Sequence, residues 1–241
     1  YLNAIEPLNG IRLNVAVDDD GKSFYVLDVK VRTKIVADGI DDPDFDMANR
    51  GRYVNAEQFN QLTNDPNTVV IDMRNHYEFE VGHFTNAIEI PSDTFRDQLP
   101  MAADMMKDKK EANIIMYCTG GIRCEKAAIH MKNIGYNSVY QLEGGILKYF
   151  EEVGGDHYDG ECFVFDERVS VGHGLVPGNY DSCHACRRPL SPEDKARPEY
   201  ERGCQCHHCM TEYSDADRIR FRERQRQMDL AEARGERHFA G

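Results

Sequence analysis

The sequence predicts an α/β protein centred on a three-layer domain with a parallel sheet, on three grounds. Between Val54 and Val153, short apolar runs alternate with longer segments of helical character. The apolar runs lack strict apolar–polar alternation, as strands buried on both faces do. Finally, the stretch CTGGIRCEK at 118–126 follows the run Asn113-Ile114-Ile115-Met116-Tyr117. That puts it at the carboxyl end of a strand, where open α/β sheets place ligands.

Taken in order, the pattern predicts a helix over 55–63, a strand at Val69-Val70-Ile71 and a short extended run at Ala87-Ile88-Glu89-Ile90. A helix over 93–107, the strand 113–117, a helix over 124–134, a strand from Val139 to Leu142 and a helix from Ile146 follow. Together they define a domain over 54–153, a usual size for one core. Upstream, IRLNVAV at 11–17 and the strand-like run 22–36 flank Asp18-Asp19-Asp20-Gly21, a good hairpin turn. A lone hairpin is marginal in water, so residues 1–37 are assigned to the remnant of an N-terminal α/β domain. The chain begins at Tyr1 without Met, so a preceding segment is expected. Residues 38–53, with DGIDDPDFD and little periodicity, read as a linker. Beyond the central domain, 160–213 is rich in cysteine and poor in apolar residues, and 214–241 reads as an arginine-rich helix.

The 241 residues carry a formal charge of −13, which disfavours a uniformly basic nucleic-acid binder while leaving room for a local basic patch. No apolar run approaches membrane-spanning length and none resembles a secretory signal, so a soluble, cytoplasmic protein is expected. Two of the 8 cysteines lie in or beside the 118–126 loop, one is isolated, and five crowd between Cys183 and Cys209. That placement suits thiol chemistry and metal binding better than secreted disulfides.

In the loop, Gly120 and Gly121 allow the backbone to bend until the N–H groups of Thr119, Gly120, Gly121, Ile122 and Arg123 point at the Cys118 sulfur. The following helix adds positive potential, so the sulfur should be a thiolate at neutral pH. Cys118 is therefore the candidate catalytic residue. Arg123 is its electrostatic partner, a permanent cation able to grip an oxyanionic or sulfur-borne group. Thr119 to Ile122 are the candidate substrate-binding residues. Cys124 could resolve an oxidised Cys118 by forming a disulfide, but the preferred reading is a small packed residue under the loop.

Cys183-x-x-Cys186 is followed after nineteen residues by Cys206-x-x-Cys209, the paired-knuckle spacing of a tetrahedral structural zinc. Cys204, His184, His207 and His208 compete for a ligand position, and a redox role for the CxxC pairs is the alternative. A segment this poor in apolar residues needs such a staple. In the tail, the run Arg218 to Arg226 is the best local candidate for RNA phosphate contact. Its acids nearly balance its bases, which favours a solvated helix laced with ion pairs. Cys162 reads as a core strand residue.

The segment DMRNHYEFEVGHFTNAIEIP at 72–91, with CTGGIRCEKA and LEGGI at 142–146, resembles the rhodanese-like domain. Matching positions are Asp72, Arg74, Glu78, Gly82, His83, Cys118, Gly121 and Arg123. The resemblance implies a persulfide-carrying cysteine at Cys118, while Asp72, Arg74 and His83 tie strand ends and loops together. Cys118 and Arg123 enclose four residues, the loop length associated with sulfur chemistry in that fold, where related phosphatases enclose five. Adding the DDDGKSF turn, KIVADGIDDP, FVFDER at 163–168 and the cysteine cluster, the whole chain resembles the bacterial rhodanese-domain tRNA uridine hydroxylases. This implies a partial N-terminal α/β (ferredoxin-like) domain, tRNA as substrate, molecular oxygen as cosubstrate and 5-hydroxyuridine at the wobble position as product. No nicotinamide or flavin fingerprint is present. The rival readings are a thiosulfate-type sulfurtransferase and a non-catalytic RNA- or persulfide-binding module.

Overall fold

The computed structural model describes residues 4–10, 30–32, 34 and 36–235. The predicted hairpin at 11–36 falls almost wholly outside these residues, as does the end of the tail. The central sheet is built from β1 (Arg52–Val54), β2 (Thr68–Asp72), β4 (Ile88–Glu89), β5 (Asn113–Tyr117) and β6 (Val139–Leu142), in the order β1-β6-β5-β2-β4 with every pairing parallel. The chain runs between them through α1 (Ala56–Thr63), α2 (His76–Val81), α3 (Phe95–Met105) and α4 (Ile122–Asn133), and α5 (Gly145–Val153) follows β6.

Period-2 geometry sorts the central strands onto two faces. Ile114 and Met116 of β5 pack with Ile71, with Phe95 and Leu99 of α3, and with Ala127 and Ala128 of α4. Ile115 and Tyr117 face the opposite way, onto Phe59 of α1 and onto Ile146, Tyr149 and Phe150 of α5. Helices thus cover both faces of a parallel sheet, the three layers expected.

Three differences from the expected elements have local causes. The helix α2 was unforeseen because it has only six residues, too few to show a period. Its start is nevertheless encoded: Asn75 and Glu78 form a capping box, with the Asn75 N–H donating to Glu78 Oε1 at 3.0 Å. The first two residues of the strand β1 fall in the stretch read as linker, since both face solvent and leave no apolar run. The rest of that stretch is anchored. The Asp38 carboxylate is buried, accepts from Lys34 and forms an ion pair with Lys126 of α4, each at 3.0 Å. Third, α4 begins two residues earlier than expected, at Ile122, because Gly121 caps it with φ +90°.

Outside the main sheet, β3 (Gly82–Phe84) pairs antiparallel with β7 (Tyr158–Gly160), and β8 (Cys162–Phe163) with β9 (Ser170–Val171). The cysteine-rich module carries the pair β10 (Asp181–Ser182) and β11 (Pro189–Leu190), the short helix α6 (Pro192–Lys195) and then the long helix α7 (Asp215–Ala233). Among the described residues no helix is long and apolar enough to cross a membrane.

Candidate active site and metal centre

The strand β5 delivers Cys118 to the carboxyl edge of the sheet, and the chain turns there into α4. The Gly121 N–H donates to the Cys118 sulfur at 3.1 Å. Several influences act on the buried thiol. Strongest is the Cys124 side chain, which donates to it, and burial opposes ionisation. The Arg123 charge and the backbone N–H groups of Cys124 and Arg123 favour the anion. The net effect lowers the Cys118 pKa to about 5, so the sulfur is a thiolate at neutral pH. Burial, followed by the neighbouring Cys118 anion, raises Cys124 well above the ordinary thiol range, which keeps its proton available as the donor. Cys124 is fully buried within the same apolar cluster, so it is both a packed residue and a hydrogen-bond partner of the Cys118 sulfur.

The carbonyl side of the loop is fixed from the other layer. Ile146 N–H donates to Cys118 O at 3.0 Å and Leu147 N–H to Thr119 O at 3.2 Å. This approach requires Gly145: its φ is +67°, and a Cβ there would lie 2.3 Å from Cys118 O. Glu143 of the same turn pairs with Lys148 at 2.9 Å.

Arg123 does not stand as a free cation over the loop. Its guanidinium forms a fork with Glu78, Nη1 to Oε1 at 2.6 Å and Nη2 to Oε2 at 2.8 Å, and Glu78 is 0% exposed. Of the residues expected to meet substrate, Thr119 turns its hydroxyl inward toward Glu78 Oε2 at 3.4 Å. Gly121 is buried, whereas Ile122 is 56% exposed at the mouth of the loop. Phe165, which the sequence reading left without a role, lies with its ring centroid 5.9 Å from the Arg123 guanidinium.

Beneath the loop, Arg74 and Asp72 form a fully buried pair, with Nη2 to Oδ2 at 2.6 Å, and the same Nη2 donates to Gly82 O at 2.6 Å. This ties the end of β2 to β3. His83 bonds the Phe79 carbonyl through Nδ1 at 3.0 Å and stacks on that ring at 3.8 Å. Neither Asp72 nor Arg74 reaches solvent.

The four cysteines of the paired knuckles converge, their sulfurs all within 4.8 Å of one another. Cys186 to Cys206 and Cys206 to Cys209 are 3.7 Å apart, and Cys183 to Cys209 is 4.0 Å. A tetrahedron of Zn–S bonds of about 2.3 Å has edges of about 3.8 Å, so the donor set fits a tetrahedral thiolate metal site. Cys204 is not part of it, since its sulfur lies 3.8 Å from the Arg218 carbonyl. His184 bonds Gln225 of α7 at 3.1 Å.

The arginines of α7 are largely spoken for. Arg218 pairs with Asp215, Arg226 with Glu223, and Arg222 forms a fork with Glu201 at 2.6 and 2.7 Å. Arg220 pairs with Asp217, and Arg224 donates to the His184 carbonyl. The helix is thereby clamped to the cysteine module.

Residues 55–152 match the rhodanese-like domain family. Over 222 residues the chain is 49% identical to a protein of Photorhabdus laumondii named tRNA uridine(34) hydroxylase, covering 88% of this chain and 62% of that one. Proteins of the same name from Pectobacterium atrosepticum and Sodalis glossinidius are 50% and 51% identical over 215 residues, covering 86% of this chain and 59% and 60% of theirs. A solved rhodanese-like domain from Anabaena is 19% identical with a TM-score of 0.37, over 45% of this chain and 78% of that one. Residues 55–152 are thus a rhodanese-like domain, and the chain spans about three-fifths of the length of the tRNA uridine(34) hydroxylase relatives it matches.

Proposed function

We propose that this chain is the catalytic part of an oxygen-dependent hydroxylase that converts the wobble uridine of tRNA to 5-hydroxyuridine. The observation that carries this reading is a buried thiolate, Cys118, at the mouth of a loop, in a chain about half identical along most of its length to relatives named for that reaction. The thiolate adds to C6 of the uracil ring, and the electron pair of the C5–C6 bond makes C5 nucleophilic toward oxygen. One oxygen atom stays on C5. The other leaves as water, with two electrons and two protons taken from a reductant of the thiol class, and loss of the C5 proton expels the Cys118 thiolate and restores the double bond. The loop amides and Arg123, held by Glu78, supply the electrostatics.

The cysteine cluster is proposed to hold one structural zinc through Cys183, Cys186, Cys206 and Cys209, and the protein to work in the cytoplasm, where tRNA is its macromolecular partner. Nucleoside mass spectrometry of bulk tRNA tests the reading: cells lacking the gene should lose 5-hydroxyuridine, and wild type but not Cys118→Ser should restore it. Unchanged 5-hydroxyuridine in the deletion would overturn it.

The rhodanese-like domain itself favours a second reading, sulfur transfer. Here the Cys118 thiolate attacks the outer sulfur of thiosulfate, sulfite leaves, and the sulfur remains as a persulfide for an acceptor. Thiocyanate formation from thiosulfate and cyanide, with tRNA nucleosides unaltered, would select it.

A further inference from the structure

We propose that the ring of Phe165 is the stacking seat for the target pyrimidine as it enters the Cys118 loop. The proposal rests on the reading of the substrate as an RNA base and specifies what holds that base. Phe165 is 63% exposed, yet its ring has a fixed neighbour. Its ring meets Phe163 edge-on at 5.1 Å and 88°. Phe163 is buried with Val81 and Val169 and meets Tyr77 edge-on at 5.4 Å. The ring is therefore presented from a packed base rather than left on a loose loop.

Its neighbour on one side is the Arg123 guanidinium, 5.9 Å away and itself locked by Glu78. Because Arg123 also acts on the Cys118 sulfur, one cation connects the exposed ring to the nucleophile. Phe165 also borders a cleft of about 620 Å³, lined by Asp166, Tyr200, Arg187, Arg202 and Arg224 among others. Its three arginines are matched by three acids, Asp166, Glu167 and Asp181, so the cleft offers room for a neighbouring nucleotide without a strong positive field. Recognition must then come from the flat ring and the guanidinium, the surfaces on which proteins stack unpaired bases. A base that reacts with a buried sulfur has to leave its own stack, and Phe165 replaces the contact it gives up.

The test uses the full-length protein and two variants, Phe165→Leu and Phe165→Tyr. One readout is the affinity for an RNA stem-loop carrying uridine at the target position against the same RNA abasic there. Wild type should prefer the uridine RNA by on the order of tenfold; Phe165→Leu should lose that preference, and Phe165→Tyr should keep it. In turnover, the Leu variant should raise KM for tRNA by a similar factor with a smaller change in kcat, at an unchanged thermal midpoint. A Leu variant that still prefers the uridine RNA as wild type does, or a wild type with no preference, overturns the seat. Failure of wild type to hydroxylate tRNA while the binding preference follows the ring would count against the proposed reaction and leave the seat standing.

Discussion

Glu78 and Arg123 are joined by two short parallel hydrogen bonds, 2.6 and 2.8 Å, and the carboxylate partner is wholly buried while the arginine borders the thiolate. The same Glu78 caps the first turn of α2 through Asn75. One side chain therefore sets both the start of a helix and the orientation of the cation beside Cys118.

Arg123→Lys should cut turnover at least tenfold, because an ammonium cannot span both oxygens of Glu78 while facing Cys118. Arg123→Ala should in addition destabilise the domain by about 3–5 kcal/mol, since it strands a buried carboxylate. Steady-state kinetics and denaturant unfolding check the two effects, and wild-type turnover in the Lys variant would remove Arg123 from the site.

The pH dependence follows from the lowered Cys118 pKa, about 5 against an ordinary 9.0. The sulfur is charged above about 5 and neutral below it, so thiolate-dependent turnover should be flat at neutral pH and fall about tenfold per unit below the midpoint. The stability gained from the depressed pKa is full above pH 9 and is lost as pH falls through about 5. The thiolate ultraviolet absorbance of wild type minus that of Cys118→Ser should titrate with that midpoint. A midpoint above 8 would contradict the assigned electrostatics.

Gly145→Ala should disrupt the loop, since the new Cβ would meet the Cys118 carbonyl at 2.3 Å in a backbone conformation that disfavours side chains. A loss of about 1–3 kcal/mol is expected, with a rise in the Cys118 pKa as the amides move. Gly120→Ala is the control for stability, because nothing lies within 4 Å of a Cβ there. Equal thermal midpoints for the two variants would argue against the close approach.

Purified protein should carry close to one equivalent of zinc by elemental analysis. Chelation, or Cys206→Ala, should loosen the module over 160–213 while residues 55–152 keep their hydrogen-exchange protection, since metal binding and local folding are coupled. Reduced, intact protein containing no metal would reject the site.

Much of this arrangement was legible in the sequence because it is local. The strand 113–117, the glycine bend and the helix after it lie in one continuous run, so periodicity and glycine chemistry put Cys118 at the carboxyl end of that strand, where the structure has it. The knuckle spacing likewise brought Cys183, Cys186, Cys206 and Cys209 together. What stayed hidden depends on contacts between distant segments. Glu78 was visible as a position matching a family pattern, but nothing local joins it to Arg123, 45 residues on. Gly145 sat in a quoted motif whose meaning is a close approach to Cys118 across the sheet edge. Phe165 stood in the FVFDER motif without a role of its own, and only the fold shows that its ring lies beside the guanidinium.

The two-sided fixing of the loop governs how it can open. The Cys118 side chain belongs to the cluster covered by α3 and α4, whereas its carbonyl is held by the first turn of α5, which packs on the opposite face. Releasing the loop thus means breaking into both layers at once, and it has no separate small-scale unfolding unit of its own. The Gly121 amide, buried and donated to the sulfur, should therefore exchange with solvent only through openings that disturb both layers. Its exchange rate then becomes a gauge of how tightly the two layers hold the loop.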